Sequence, residues 1–407
     1  MTDNSLLSAV VGSVDPLLPE LVEIRRDLHA HPELSREETR TTLVVSQRLA
    51  AAGVRVRPLA GTGLVADIGA EQPAYRVALR ADLDALPVRE RTNLEWASTN
   101  YGVCHACGHD VHVTSVLGAG LALRAQEERL REQGVAARLI FQPAEEVIPG
   151  GAIDVLEQGG MEGVDAVFAV HCDPSIEVGR VGLREGPITA ASDRVTVHLS
   201  GRGGHTSRPH LTEDLTFALA KVITEVPAVL SRRLDPRSGL ALVWGEVRAG
   251  MASNVIPSSG IVAGTLRMLD AEAWKSVGPL LEQVVHAVVS PYAVTARLEH
   301  VPGVPPVVNH PDAVDVLRQS CVGGGLEPVP TPQSLGGEDF AWYLTSVPGA
   351  MARLGTRTPG GRTYDLHQGD LVVDEGAVAA GARLLAGAVV ADVIKAAASG
   401  DTAGKDS

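Results

Sequence analysis

Aromatic side chains are scarce, with Phe, Trp and Tyr together making up 3% of 407 residues. Apolar residues nevertheless reach 45%, so a sizeable core has to be assembled from Ala, Val and Leu. Positive charge is short as well. The 35 Lys and Arg against 49 Asp and Glu leave a formal net charge of −14. A surface that negative repels phosphate backbones and anionic lipid, so neither nucleic acid nor a membrane is an expected partner. The four cysteines, Cys104, Cys107, Cys172 and Cys321, are too few for a disulfide framework in a chain this long. The opening MTDNSLLSAV lacks the basic n-region of a secretory leader, and no apolar run is read as reaching the roughly 18 residues of a membrane span. A cytoplasmic location is expected, with a disordered polar tail after Ala398.

Two domains are the prior for this length. Helical periodicity marks Leu18–His29 and Glu37–Ala52, and short apolar runs at Val54–Pro58, Gly63–Ile68, Arg76–Leu79, Arg138–Phe141 and Ala166–Val170 predict strands. A helix is predicted over Val113–Arg124. Alternating strands and helices imply an α/β domain whose central sheet is flanked by helices. The pattern changes near Pro187. Asp193–Ser200 alternates like a half-exposed strand, and the predicted order to His300 is β-α-β-β-α-β, the ferredoxin-like arrangement. After Pro305 helical patterns return at Asp312–Cys321 and Glu375–Ala397. The expected organisation is one α/β domain, residues 1–187 and 304–407, interrupted by a smaller α+β insert, 188–303.

The densest polar stretch is YGVCHACGHDVH, with Cys104, His105, Cys107, His109, Asp110 and His112. Thiolate and imidazole two residues apart in Cys-Gly-His suit a turn around zinc or a neighbouring metal. A helix starting near Val113 would aim its N-terminus at the turn and lower a thiol's pKa. Cys104-x-x-Cys107 also fits a redox pair, and buried, hydrogen-bonded His and Cys would be the plain structural reading. Glu145 and Glu146 follow the predicted strand Arg138–Phe141, where α/β sites lie. Adjacent carboxylates there project to different sides, so one can bind metal while the other serves as a general base. A solvated loop is the alternative. His171 ends another apolar strand and His367 precedes the last helix; either alone would be structural, but with Cys107, His109 and Glu146 they complete a donor set for two ions sharing ligands. Asp82 and Asp84, two apart, would share a face of a strand and could orient an imidazole, or cap a turn. His205, in a glycine-rich turn that lacks phosphate-loop spacing, is a candidate donor to an oxyanion.

With those residues in view, the chain resembles the M20 metallopeptidases, in the branch of N-acyl-amino-acid amidohydrolases that includes hippurate hydrolase and plant auxin-conjugate hydrolases. The resemblance rests on DLHAHPELSREE, LRADLDALP, CHACGHDVH, QPAEE, AVH, GRGGHTSRPH, ASNVIPSSGIVAGTLR, GGEDFAWY and LHQGD, which run in family order from Asp27 to Asp370. It implies two divalent ions (Zn, Mn, Co or Ni) held by Cys107, His109, Glu146, His171 and His367, with Glu145 as general base. It implies a homodimer formed through the insert, His205 reaching the partner's site, and Asn254 and Arg267 near the carboxylate or scissile carbonyl of a small N-acyl amino acid. Cys104 stands where the branch has Met, Gln368-Gly369 follows His367 in place of a small residue and Pro, and Asp82-x-Asp84 replaces the His-x-Asp of other branches. The expected reaction is amide hydrolysis releasing an acid and an amino acid. A dipeptidase or carboxypeptidase on the same scaffold, and a binding protein without catalysis, are its rivals.

Overall fold

The computed structural model describes residues 4–399; apart from Ser399, the tail beyond Ala398 lies outside them. The chain divides into two compact units. The first comprises the chain up to Gly186, Val308–Pro332 and everything from Asp339; the second is Pro187–Val307 with Gln333–Glu338.

The first unit is built on an eight-stranded sheet. Its order is Arg55–Pro58, Leu64–Gly69, Val135–Gln142, Tyr75–Asp82, Ala166–Glu177, Gly349–Arg357, Arg180–Leu183 and Glu327–Pro330. The four strands from Val135–Gln142 to Gly349–Arg357 run parallel to one another. Parallel strands are covered on both faces, so they read as continuous apolar runs. VAARLIFQ is buried at every position, and GAMARLGTR at all but its last. Gly349–Arg357 was not expected from the sequence, because a strand buried on both faces shows no period-two alternation.

The helix His109–Ala125 packs with the long helix Gly376–Ser399 and the sheet in one apolar core. A Cβ at Gly120 would lie 2.3 Å from Leu139 Cδ1, so this helix sits directly on its strand. One expectation needs correction: Ser5–Ala30 and Gly376–Ala398 are both long and apolar enough, by composition, to cross a membrane. In Gly376–Ala398, 83% of the apolar window is buried, so its Ala and Val side chains pack the core; in Ser5–Ala30 the share is 22%.

The second unit has a four-stranded antiparallel sheet in the order Ala241–Ala249, Ser259–Met268, Ala191–Ser200, Thr295–Val304. With helices Leu215–Arg233 and Ala271–Val289 this is the β-α-β-β-α-β arrangement. Val195, Val197 and Leu199 point into its core while Arg194 is exposed, the alternation of a half-covered strand. Both helices start on an aspartate: Asp214 accepts the N–H of Phe217 and Asp270 that of Ala273.

Candidate metal centre

The polar cluster folds as a tight turn. Cys104 bridges to Leu86 through paired backbone hydrogen bonds of 3.1 Å, Ala106 N–H donates to Cys104 O, and Gly108 N–H to His105 O. Gly108 sits at φ +82°, where a Cβ would also lie 2.8 Å from Cys172 Sγ, so glycine is required twice over. The helix begins at His109, four residues before the expected Val113, because the left-handed Gly108 starts it there. His109 and His112 share one helix face with ring centroids 5.2 Å apart. Asp110 faces away, to Arg25 Nε at 2.7 Å and His29 Nδ1 at 2.9 Å. The expected depression of a thiol pKa does not occur. Burial pushes Cys107 up to about 12, against the charge of His109.

Three segments meet this turn. His171, on Ala166–Glu177, places Nε2 3.6 Å from Cys107 Sγ. Glu146, beyond the end of Val135–Gln142, places Oε1 3.8 Å from His109 Nε2 and 3.4 Å from His367 Nε2. His367 arrives on a loop in the left-handed region, φ 61°, fixed by its N–H to Ala106 O at 2.8 Å. The donor atoms of Cys107, His109 and His171 lie within 4.8 Å of one another, as do those of Cys107, Glu146 and His367. These two sets share Cys107. The oxygen of Glu145 groups in the same way with His109 and Glu146. The two glutamates therefore converge instead of diverging: Ala144, at φ 54°, has already broken the strand's alternation.

Two orphaned atoms test whether ions fit. Among the described residues His109 Nε2 and Glu146 Oε1 are buried without a hydrogen-bond partner, and such groups are costly unless something satisfies them. The tautomers agree. His109 Nδ1 lies 2.8 Å from the Asp84 carbonyl and His171 Nδ1 2.8 Å from that of Cys172. Each carbonyl can only accept, so Nδ1 carries a proton and Nε2 is the nitrogen that faces the centre. Burial, then the charges of Arg353 and His112, holds His171 well below the usual imidazole range, so it is neutral as a ligand must be. His109 is held well above that range: burial opposes its charge, but Asp82 and Cys107 outweigh burial. Ligation by His109 and Cys107 would therefore release protons. Thiolate, imidazole and carboxylate together suit borderline divalent ions.

A layer behind these donors holds them. Asp84 Oδ1 accepts the backbone N–H of Glu145 and Oδ2 that of Glu146, both at 3.0 Å, and Ser35 Oγ donates to Oδ2 at 2.6 Å. Burial opposes ionisation of Asp84, but the hydrogen bond and charge of His109 hold its pKa below the usual carboxylate range. His112 accepts the Cys172 N–H on Nε2 at 2.8 Å and gives Nδ1–H to Asp82 at 2.7 Å. Both its nitrogens are spent, so it braces the His171 strand. Asp82 also takes Arg80 Nη1–H at 2.7 Å. The strand stops at Asp82, so Asp82 and Asp84 do not share a strand face as expected, although both carboxylates approach His109, at 3.6 and 3.5 Å. Sequence reasoning missed His112, Ser35 and Arg80 as braces. The runs HPELS, LRADLDALP and CGHDVH contain them, but nothing in their spacing distinguishes a brace from a ligand.

His205, Asn254 and Arg267 belong to the second unit. His205 pairs with Val255 in a two-residue ribbon, and Thr206 N–H donates to Asn254 O at 3.1 Å, so His205 and Asn254 are neighbours. His205 is exposed, and its Nδ1 accepts the Ser207 N–H at 3.1 Å. The ring proton is therefore on Nε2, a free-standing donor geometry. Arg267, on Ser259–Met268, gives Nη1–H to the carbonyl of Leu335.

Residues 78–391 match the family described as peptidase family M20/M25/M40. A Bacillus subtilis N-acetyl-L-cysteine deacetylase is 36% identical over 382 residues, covering 93% of this chain and 90% of that protein. A Rhodococcus jostii protein named for a glutamate–cysteine ligase is 49% identical over 369 residues, 90% of this chain, and the chain spans 46% of that relative's length. Among solved structures, a Bacillus subtilis dinuclear metal-binding peptidase superposes with a TM-score of 0.82 at 32% identity, covering 93% of this chain and 99% of that one.

Proposed function

From the premise that this chain belongs to peptidase family M20/M25/M40, and is a hydrolase with a dinuclear metal centre, we propose that it cleaves the amide bond of small N-acyl amino acids, releasing a carboxylic acid and a free amino acid. The observation that carries the proposal is Glu145 beside two donor sets that share Cys107 and leave His109 Nε2 and Glu146 Oε1 buried without partners. The deacetylase relative supports an N-acyl amino acid as the substrate class.

Cys107, His109, Glu146, His171 and His367 would hold the ions, with Zn, Mn, Co or Ni all compatible with these donors. When bound, the ions supply Lewis acidity, lowering the pKa of water and polarising a carbonyl. Glu145 takes the proton of the attacking water and returns it to the leaving amine. Because one carboxylate carries the proton from the water to the leaving amine, Glu145 must alternate between base and acid within a turnover. His205, with Asn254 beside it, donates its Nε2–H to the oxyanion, and Arg267 binds the substrate carboxylate.

We assign the functional protein as a cytoplasmic homodimer formed through the second unit, each protomer's His205 serving the other's centre. The edge strand Ala241–Ala249 supports this: among the described residues its outer ladder is unpaired, and it exposes Val243 and Val247, a surface that soluble edges usually blunt. The test is turnover of a panel of N-acyl amino acids against matched dipeptides with Zn²⁺, Mn²⁺ or Co²⁺ added. Preference for the acylated panel is expected; preference for dipeptides assigns a dipeptidase instead.

A further inference from the structure

The loop between helices Leu18–Ala30 and Thr39–Ala51 carries the run HPELSREE, of which only Ser35 has a role above. Glu38 in that loop is fully buried. Its Oε1 accepts the backbone N–H of Ala144 at 2.7 Å and of Arg36 at 2.9 Å, and its Oε2 the Thr62 hydroxyl at 2.6 Å. The next two N–H groups along, Glu145 and Glu146, go to Asp84, which the same loop braces through Ser35. Three successive backbone N–H groups are thus each held by a buried carboxylate. Successive N–H groups around a left-handed residue form a concavity that binds anions. Here Ala144 is the left-handed residue, φ 54°, and the chain's own carboxylates fill the concavity.

We propose that Glu38 is a positioning residue for the Glu145–Glu146 pair, so that the loop 31–38 sets both the metal-binding and the proton-transferring carboxylate; this rests on the roles given to those two residues above. A buried carboxylate is an expensive choice for a mere loop tether. It is explained by the need for charged acceptors on a strained segment that cannot satisfy its own N–H groups. Displacing Ala144 by a few tenths of an ångström moves both side chains that follow it, and sites of this kind tolerate little displacement.

The test is spectroscopic titration of the metal-free protein with Co²⁺, alongside kcat and KM for an N-acyl amino acid. Glu38→Ala removes the acceptor, and Glu38→Asp keeps the charge but withdraws it from Ala144. Both are expected to weaken Co²⁺ binding about 10–100-fold, as for other groups that orient ligands, and to lower kcat with KM within about twofold. Glu38→Gln, which keeps one acceptor oxygen but not the charge, is expected to fall between Glu38→Ala and the wild type in both. Thr62→Val removes a hydrogen bond on the far oxygen and is expected to lower the melting temperature while leaving Co²⁺ affinity unchanged. Wild-type Co²⁺ affinity in a folded Glu38→Asp protein overturns the proposal, as does a Thr62→Val protein that loses as much affinity as the Glu38 variants. Should the wild type turn over no N-acyl amino acid, the functional reading fails while the Co²⁺ titration still decides the role of Glu38.

Discussion

The carbonyl oxygen of Asp84 accepts the Nδ1–H of His109 at 2.8 Å. The carboxylate of the same residue holds the backbone of Glu145 and Glu146. One residue therefore orients an imidazole donor through its main chain and a carboxylate donor through its side chain. Asp84→Asn keeps the first contact and spoils the second, since an amide NH₂ then faces an N–H. Metal affinity is expected to fall about 10–100-fold, read by titration of the metal-free protein. Unchanged affinity would show that the 143–146 segment holds its shape without this clamp.

A separate prediction concerns stability away from the centre. Asp392 lies in the core helix, and burial raises its pKa to about 6, with Tyr75 Oη at 3.0 Å opposing the shift. Its folded pKa exceeds its unfolded one, so the protonated form is favoured by folding. That contribution is complete below about pH 4 and is lost as pH rises through about 6. Asp392→Asn is expected to raise the melting temperature at pH 7.5 and to change it little at pH 4.5. An equal change at both values contradicts a buried, titrating carboxyl.

How much of this was legible beforehand follows from burial. Glu145 and Glu146 follow the apolar strand Val135–Gln142, His171 follows the apolar run at the start of Ala166–Glu177, and Cys107 and His109 stand in a dense His and Cys cluster; such interruptions and clusters show in a sequence. The half-covered strands of the second unit showed too, because alternation survives where one face is wet. Gly349–Arg357 did not, since burial on both faces erases the pattern. The start of the helix at His109 was hidden because the residues of its first turn look like loop. Glu38 and His112 were hidden for a different reason: each holds a distant segment through a backbone N–H, of Ala144 and of Cys172, and every sequence has backbone N–H groups. The thiol shift was misjudged because a helix terminus is visible in sequence and depth of burial is not.

Arg267 offers a sharp choice. One of its N–H groups is committed to the Leu335 carbonyl, which by itself would make it a clasp for the segment Gln333–Glu338. If the remaining fork also binds substrate, Arg267→Ala should reduce kcat/KM for an N-acyl amino acid at least tenfold more than for its neutral amide analogue, the loss of a charge-assisted pair being worth roughly 1.5–3 kcal/mol. Equal losses on the two substrates would leave only the clasp.

Sharing of sites between protomers can be read by mixing. His205→Ala and Glu145→Gln homodimers should each be nearly inactive. After subunit exchange, the hybrid carries one site with both residues intact, so activity should return to about a quarter of wild type for a statistical mixture with half of its dimers hybrid. Proven exchange with no recovery would place His205 at its own protomer's centre.

The central claim is that Glu145 moves the proton while its neighbour and four other side chains hold metal. Metal-loaded wild type, chelator-treated wild type and Glu145→Gln should be compared on one N-acyl amino acid, with metal content measured by elemental analysis on the same samples. The wild type should bind up to two divalent ions per chain and lose activity on chelation, with recovery when Zn²⁺, Mn²⁺ or Co²⁺ is returned. Glu145→Gln should keep its metal and lose about 10²–10⁴-fold in turnover. Full activity in metal-free protein, or a Glu145→Gln protein that turns over normally with its metal in place, would contradict the account.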